Sequence, residues 1–150
     1  KRPAIPIIKE IIKNFGDEEI VVMGRYATQV KHLKQIFGNK IRILNKVVDG
    51  KILLRNADVF IGSGGTMTAE SALSSVPTIS YNAVPNIIEN YLVRKKLIIR
   101  ERNPKRIVIS IKKLLDSSNS EIKIKSKNML GSMEDPYPIL IETINSVLKH

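Results

Sequence analysis

Residues 58 to 82, DVFIGSGGTMTAESALSSVPTISYN, constrain the fold more than any other stretch. A short apolar run, Val59-Phe60-Ile61, stops at Gly62-Ser63-Gly64-Gly65, and a helical pattern then runs from Thr66 to about Ser75. Pro77 opens a second β-type run, Thr78-Ile79-Ser80-Tyr81. Strand, glycine turn, helix and strand make the smallest unit of a parallel α/β sheet. The predicted class is therefore α/β, a doubly wound parallel sheet with helices on both faces. At the glycine turn the carboxyl end of a strand meets the amino end of a helix. Free backbone N–H groups and the positive end of the helix dipole converge there, which suits a phosphate. Glycine keeps a Cβ from standing between the backbone and the anion.

The helix after the turn divides into faces. Ala69, Ala72, Leu73 and Val76 fall at i, i+3, i+4 and i+7 and predict the buried stripe. Thr66 and Glu70 lie four apart on another face. Helical side chains lean toward the amino terminus, so Glu70 is predicted to point back at the mouth of the turn. A carboxylate there accepts hydrogen bonds from hydroxyls such as those of a ribose. The competing reading is a solvated helix acid favoured by the dipole.

The rest of the chain repeats the strand–helix alternation. Pro3 and Pro6 suit a helix start, and Ile8, Ile11, Ile12 and Phe15 recur at helical spacing up to Gly16. Glu19 to Met23 reads as the first strand, and Arg25 follows its carboxyl end, where open α/β sheets bind ligands. Phosphate pairing is the sharp reading of Arg25, a surface arginine the plain one. Val30, Leu33 and Phe37 mark a helix, Ile41 to Leu44 a strand, and Asp49 caps a short helix carrying Ile52, Leu53 and Leu54. Asn82 to Pro85 is a loop at another strand end, and Asn86 caps a helix bearing Ile87, Ile88, Tyr91 and Leu92. Leu97 to Ile99 is a short edge strand. Three further helices follow: one from Asn103-Pro104, a lysine-decorated one over 121–130, and one over 136–149.

The block ADVFIGSGGTMTAESALSSVPTIS resembles the signature of the domain-of-unknown-function family 354, which runs roughly AD-hydrophobic-IG-GGTM-x-x-E-A-AL-x-G-x-PTIS. VVMGRYATQ near the start and MEDPYPILIETI near the end are weaker echoes. More distantly the block is similar to the nucleotide-binding half of GT-B glycosyltransferases and to the non-hydrolysing UDP-N-acetylglucosamine 2-epimerases. That resemblance implies a Rossmann-like C-terminal half of a GT-B fold. Residues 1–150 would be a nucleotide-sugar donor domain, part of a two-domain protein whose N-terminal GT-B-like domain lies outside this sequence. In such relatives the Gly-Gly pair binds the diphosphate of a UDP-sugar and the glutamate one turn later binds the ribose. Here these are Gly64 and Gly65, flanked by Ser63 and Thr66, and Glu70. The nucleotide base lies against the loop that corresponds to Val47 and Val48, residues that ordinary core packing explains as well. Two positions depart from the pattern. Ser75 stands where the family has glycine, at a cost for a left-handed helix end, and Ala69 where it often has arginine. A terminal helix in two-domain GT-B enzymes crosses to the other half; without that half, helix 136–149 is expected to pack locally or be weakly held.

The implied ligand is UDP or a UDP-sugar, with no metal. The function is that of the donor half of a glycosyltransferase; an epimerase half and a non-catalytic nucleotide or phosphosugar module are the alternatives. No catalytic constellation is evident. Ile61 occupies the first glycine position of G-x-S-x-G, so Ser63 is no elbow nucleophile, and neither G-x-x-x-x-G-K-[ST] nor G-x-G-x-x-G occurs. Asp58 precedes its strand, at the wrong end of the sheet, and Asp135 reads as a cap. The chain carries 25 basic and 14 acidic side chains, a net charge of +11. Residues 1–75 hold 12 and 7 of them, residues 76–150 hold 13 and 7, so no polybasic tail exists. Nucleic-acid binders concentrate charge and add stacking aromatics, and aromatics are only 5% here, which disfavours nucleic acid. An anionic ligand or peripheral contact with an anionic membrane suits the excess, and lysine-rich solvated faces explain it most cheaply. The absence of cysteine fits a cytoplasmic protein.

Overall fold

The structure, a computed structural model, describes residues 4–24, 26–44, 48–116 and 120–148. The elements run α1 (Ala4–Asn14), β1 (Val21–Met23), α2 (Ala27–Phe37), β2 (Arg42–Leu44), α3 (Gly50–Arg55), β3 (Phe60–Gly62), α4 (Thr66–Leu73), β4 (Thr78–Ser80), α5 (Ile87–Arg94), β5 (Ile98–Arg100), α6 (Pro104–Asp116), α7 (Ser120–Gly131) and α8 (Pro136–Leu148). This is an α/β, Rossmann-like fold whose strands all pair in parallel.

The strands form two ladders where the sequence suggested one sheet. β1 pairs with β2, placing Val22 beside Ile43. β3, β4 and β5 pair in that order, aligning Ile61 with Ile79 and Ile79 with Ile99. Every residue of β4 is buried, as expected for a parallel strand covered on both faces. Ile79 points to one face and packs with Ile7 of α1 and with Ile107, Ile111 and Leu114 of α6. Ile98 lies on the other face with Ala72 of α4 and Leu92 of α5. A third core joins Ile8, Phe37 and Ile41, with Val22 and Ile43 against it. Neighbouring residues of α1 therefore enter different cores, and this helix ties the β1–β2 ladder to the other three strands.

Helix α4 departs in part from the predicted stripe. Ala72 and Val76 are buried and Ala69 and Leu73 half-buried, but Thr68 and Ser71 are buried too. Their hydroxyls belong to a polar seam against β4. The Ser71 and Thr78 hydroxyls lie 2.9 Å apart, Ser71 donates to the Thr68 carbonyl, and Thr78 donates to that of Val76. A buried hydroxyl is tolerable when bonded in this way. Helix ends follow the sequence closely. Asp49 accepts from Lys51 N–H, Asn86 from Glu89 N–H, Asn103 from Lys105 N–H and Asp135 from Tyr137 N–H. The Glu101 carboxylate accepts the N–H groups of Asn103 and Arg102, and the Asn103 bond chiefly holds its pKa below the ordinary value. Ser75, the glycine position of the family pattern, has φ +66°. Helix α8 buries none of its residues, and Tyr137, Leu140, Ile144 and Leu148 are all exposed. Among the described residues no helix is long and apolar enough to cross a membrane.

Candidate functional site

Because β3, β4 and β5 run in parallel, the segments after them emerge at one edge. The first is the glycine turn. Gly64 and Gly65 have φ of +86° and +90°, a region that L side chains rarely adopt, and this turns the chain from β3 into α4. The Ala69 N–H donates to the Gly65 carbonyl at 3.2 Å and closes the first turn of α4. The backbone N–H groups of Gly64, Gly65 and Thr66 donate to no other described residue. Ser63, Gly65 and Thr66 are exposed. A Cβ built on Gly65 would meet nothing within 4 Å, so the turn opens outward there. Unpaired N–H donors at the positive end of a helix form a ready anion seat.

Glu70 is exposed on α4, one turn after Thr66. Val48 is 42% exposed, and a Cβ on nearby Gly50 would stand 3.8 Å from the Met67 methyl. The start of α3 thus lies beside the first turn of α4. Arg25 and Val47 lie outside the described residues. Among the described residues no group of three or more His, Cys, Asp or Glu could hold a metal ion.

The structure also holds a polar cluster beneath the turn that sequence reasoning missed. Glu89 of α5 is only 3% exposed. Its Oε1 accepts from the Ser80 hydroxyl at 2.7 Å and its Oε2 from the Asn82 side-chain amide at 2.9 Å. Arg100, at the end of β5, brings its Nε to 3.6 Å from the same carboxylate and donates from Nη2 to Asn90 at 2.8 Å. A buried carboxylate is sustained only by such partners. The cluster touches the turn directly. A Cβ on Gly64 would fall 2.9 Å from Glu89 Oε2 and collide with the Asn82 amide nitrogen. Asn86 read as the cap of this helix, and it does cap α5. Its glutamate, however, turns inward to β4 and the following loop. The return of α5 onto the end of β4 joins Ser80, Asn82 and Glu89, and the parallel register that sets Ser80 beside Arg100 adds the arginine.

The family model described as "Protein of unknown function (DUF354)" matches residues 2–149. An uncharacterized protein of Methanocaldococcus jannaschii is 31% identical over 147 residues, covering 97% of this chain and 39% of that protein. A lipid-A-disaccharide synthase of Acinetobacter baylyi is 23% identical over 165 residues, covering 93% of this chain and 40% of the synthase. The chain thus spans about two fifths of the length of these curated relatives. No solved structure matches the chain significantly.

Proposed function

The chain belongs to the DUF354 family of proteins of unknown function, and from that premise we propose that it binds a nucleoside-diphosphate sugar, with UDP as the nucleotide, as the donor half of a GT-B-like glycosyltransferase. One observation carries this reading: a glycine turn with two left-handed residues delivers to the start of α4 N–H groups that no other described residue accepts. In this reading the diphosphate lies on Ser63, Gly64, Gly65 and Thr66, where the backbone and the helix end favour negative charge. Glu70, exposed one turn further on, accepts the ribose hydroxyls, and Val48 offers an apolar wall to the base. The net charge of +11 favours approach of an anionic ligand. The weak similarity to a disaccharide synthase supports a sugar-transfer context. The groups that complete transfer would come from the part of the protein outside these 150 residues.

Thermal-shift titration with UDP, other nucleoside diphosphates and their sugars tests the reading. Ligand at 100 times its dissociation constant adds about 2.7 kcal/mol of stability. For a chain of this size that is a rise in Tm of roughly 5–10 °C. Gly65→Val should abolish the shift, because its side chain would stand in the open mouth of the turn. The free variant should still fold, with strain of about 1–3 kcal/mol. If no nucleoside diphosphate shifts the melt at millimolar concentration, the proposal fails.

A further inference from the structure

We propose that Glu89 is a positioning residue for the glycine turn, joining the loop after β4 and the turn after β3 into one rigid seat. The Ser80 hydroxyl donates to Glu89 Oε1 while accepting the Asn82 backbone N–H at 3.2 Å. The Asn82 amide donates to Glu89 Oε2, and its Oδ1 accepts the Val84 N–H at 3.2 Å. Both ends of that amide are therefore committed, and its orientation is fixed. Gly64 rests on the Asn82–Glu89 pair with no room for a Cβ between them. Arg100 faces the same carboxylate from β5 as an ion pair at 3.6 Å, without a hydrogen bond. The turn is thus supported directly by Asn82 and Glu89, with Arg100 behind the carboxylate, while no other described residue accepts the turn's N–H groups. What the turn holds rests on the donor-binding reading; how the turn is held does not.

The chemistry of the pair supplies a sharp test. Glu89→Gln keeps the shape but replaces one acceptor oxygen by a donor. If the new amide keeps the Ser80 bond, its NH2 faces the Asn82 NH2, and two donors oppose each other. Asn82 cannot turn over without surrendering the Val84 N–H. Adding Asn82→Asp restores the hydrogen bonds between the two side chains and Val84, because the new carboxylate accepts from the new amide and from the Val84 N–H; the cluster keeps its net charge, and only the Arg100 ion pair with residue 89 is lost. The reciprocal pair should rescue what either single change breaks.

Two readouts apply to wild type, Glu89→Gln, Asn82→Asp and the double variant. The first is the 15N order parameter of the Gly64 and Gly65 amides, which needs no ligand. It should be near the rigid value of about 0.85 in wild type, below about 0.6 in each single variant, and restored in the double. The second is UDP affinity, expected to fall roughly tenfold in each single variant and to recover to within about threefold in the double. Order parameters unchanged in the single variants would overturn the proposal, even if the melting temperature fell. So would a double variant no better than the singles. Should Glu89→Gln fail to fold, Asn82→Asp and the double variant decide the matter alone. Should wild type not bind UDP, the donor-binding reading falls while the order parameters still judge this one.

Discussion

Glu70 and Glu89 are two carboxylates near one turn, and their surroundings give them different work. Glu89 is buried and bonded to Ser80 and Asn82, so its acceptors are spent inside the protein. Glu70 is exposed and available to a ligand. If it accepts ribose hydroxyls, Glu70→Gln should lose about 1.5–3 kcal/mol of binding, a roughly ten- to hundredfold weaker UDP affinity. The melting temperature of the free protein should hardly move, and pyrophosphate, which lacks a ribose, should bind as before. Calorimetric titration with both ligands checks this; equal losses for the two would remove the ribose assignment. The place of Glu70 on α4, one helical turn after Thr66, was legible in the sequence because local periodicity sets it. Glu89 was not, because Ser80 and Asn82 meet it only once α5 folds back on the end of β4, and Arg100 only once β5 lies beside β4.

At the scale of elements, α4 and α5 end in the same way. After α4 the Val76 N–H donates to the Ser71 carbonyl and the Ser75 N–H to that of Ala72. After α5 the Leu97 N–H donates to Leu92 and the Lys96 N–H to Val93. These are Schellman ends, which place one residue in the left-handed region and usually give that place to glycine. Here Ser75 and Lys96 hold it, with φ of +66° and +60°. A left-handed non-glycine residue costs about 1–2 kcal/mol, partly offset because glycine loses more chain entropy on folding. Ser75→Gly should therefore stabilise by about 0.5–1 kcal/mol, and raise Tm by roughly 1–4 °C. A fall in Tm would show that the Ser75 side chain contributes more than its strain. The helix and strand order was readable from apolar spacing, caps and glycines. The hydroxyl-lined face of α4 was not, because Thr68 and Ser71 look solvent-facing until the equally polar Thr78 stands opposite. Nor could periodicity show that the strands divide into two ladders, since pairing depends on how the helices seat between them.

On the scale of the whole molecule, α1 holds the two ladders together. Ile7 enters the core beneath β4 and α6, and Ile8 the core of α2, β1 and β2. Ile7→Ala should cost about 2–5 kcal/mol, as buried truncations do. If α1 couples the ladders, native-state hydrogen exchange should report equal losses of protection at Ile79 and at Ile43. Loss at Ile79 alone would mean that the ladders open independently. The same arrangement bears on synthesis. The chain emerges from the ribosome as a thread, and α1 ends at Asn14 while its main partner α6 begins only at Pro104. At about 5–20 residues per second, α1 waits several seconds with Ile7 uncovered. The segment that ties the finished ladders together is thus, during its making, an uncovered apolar face.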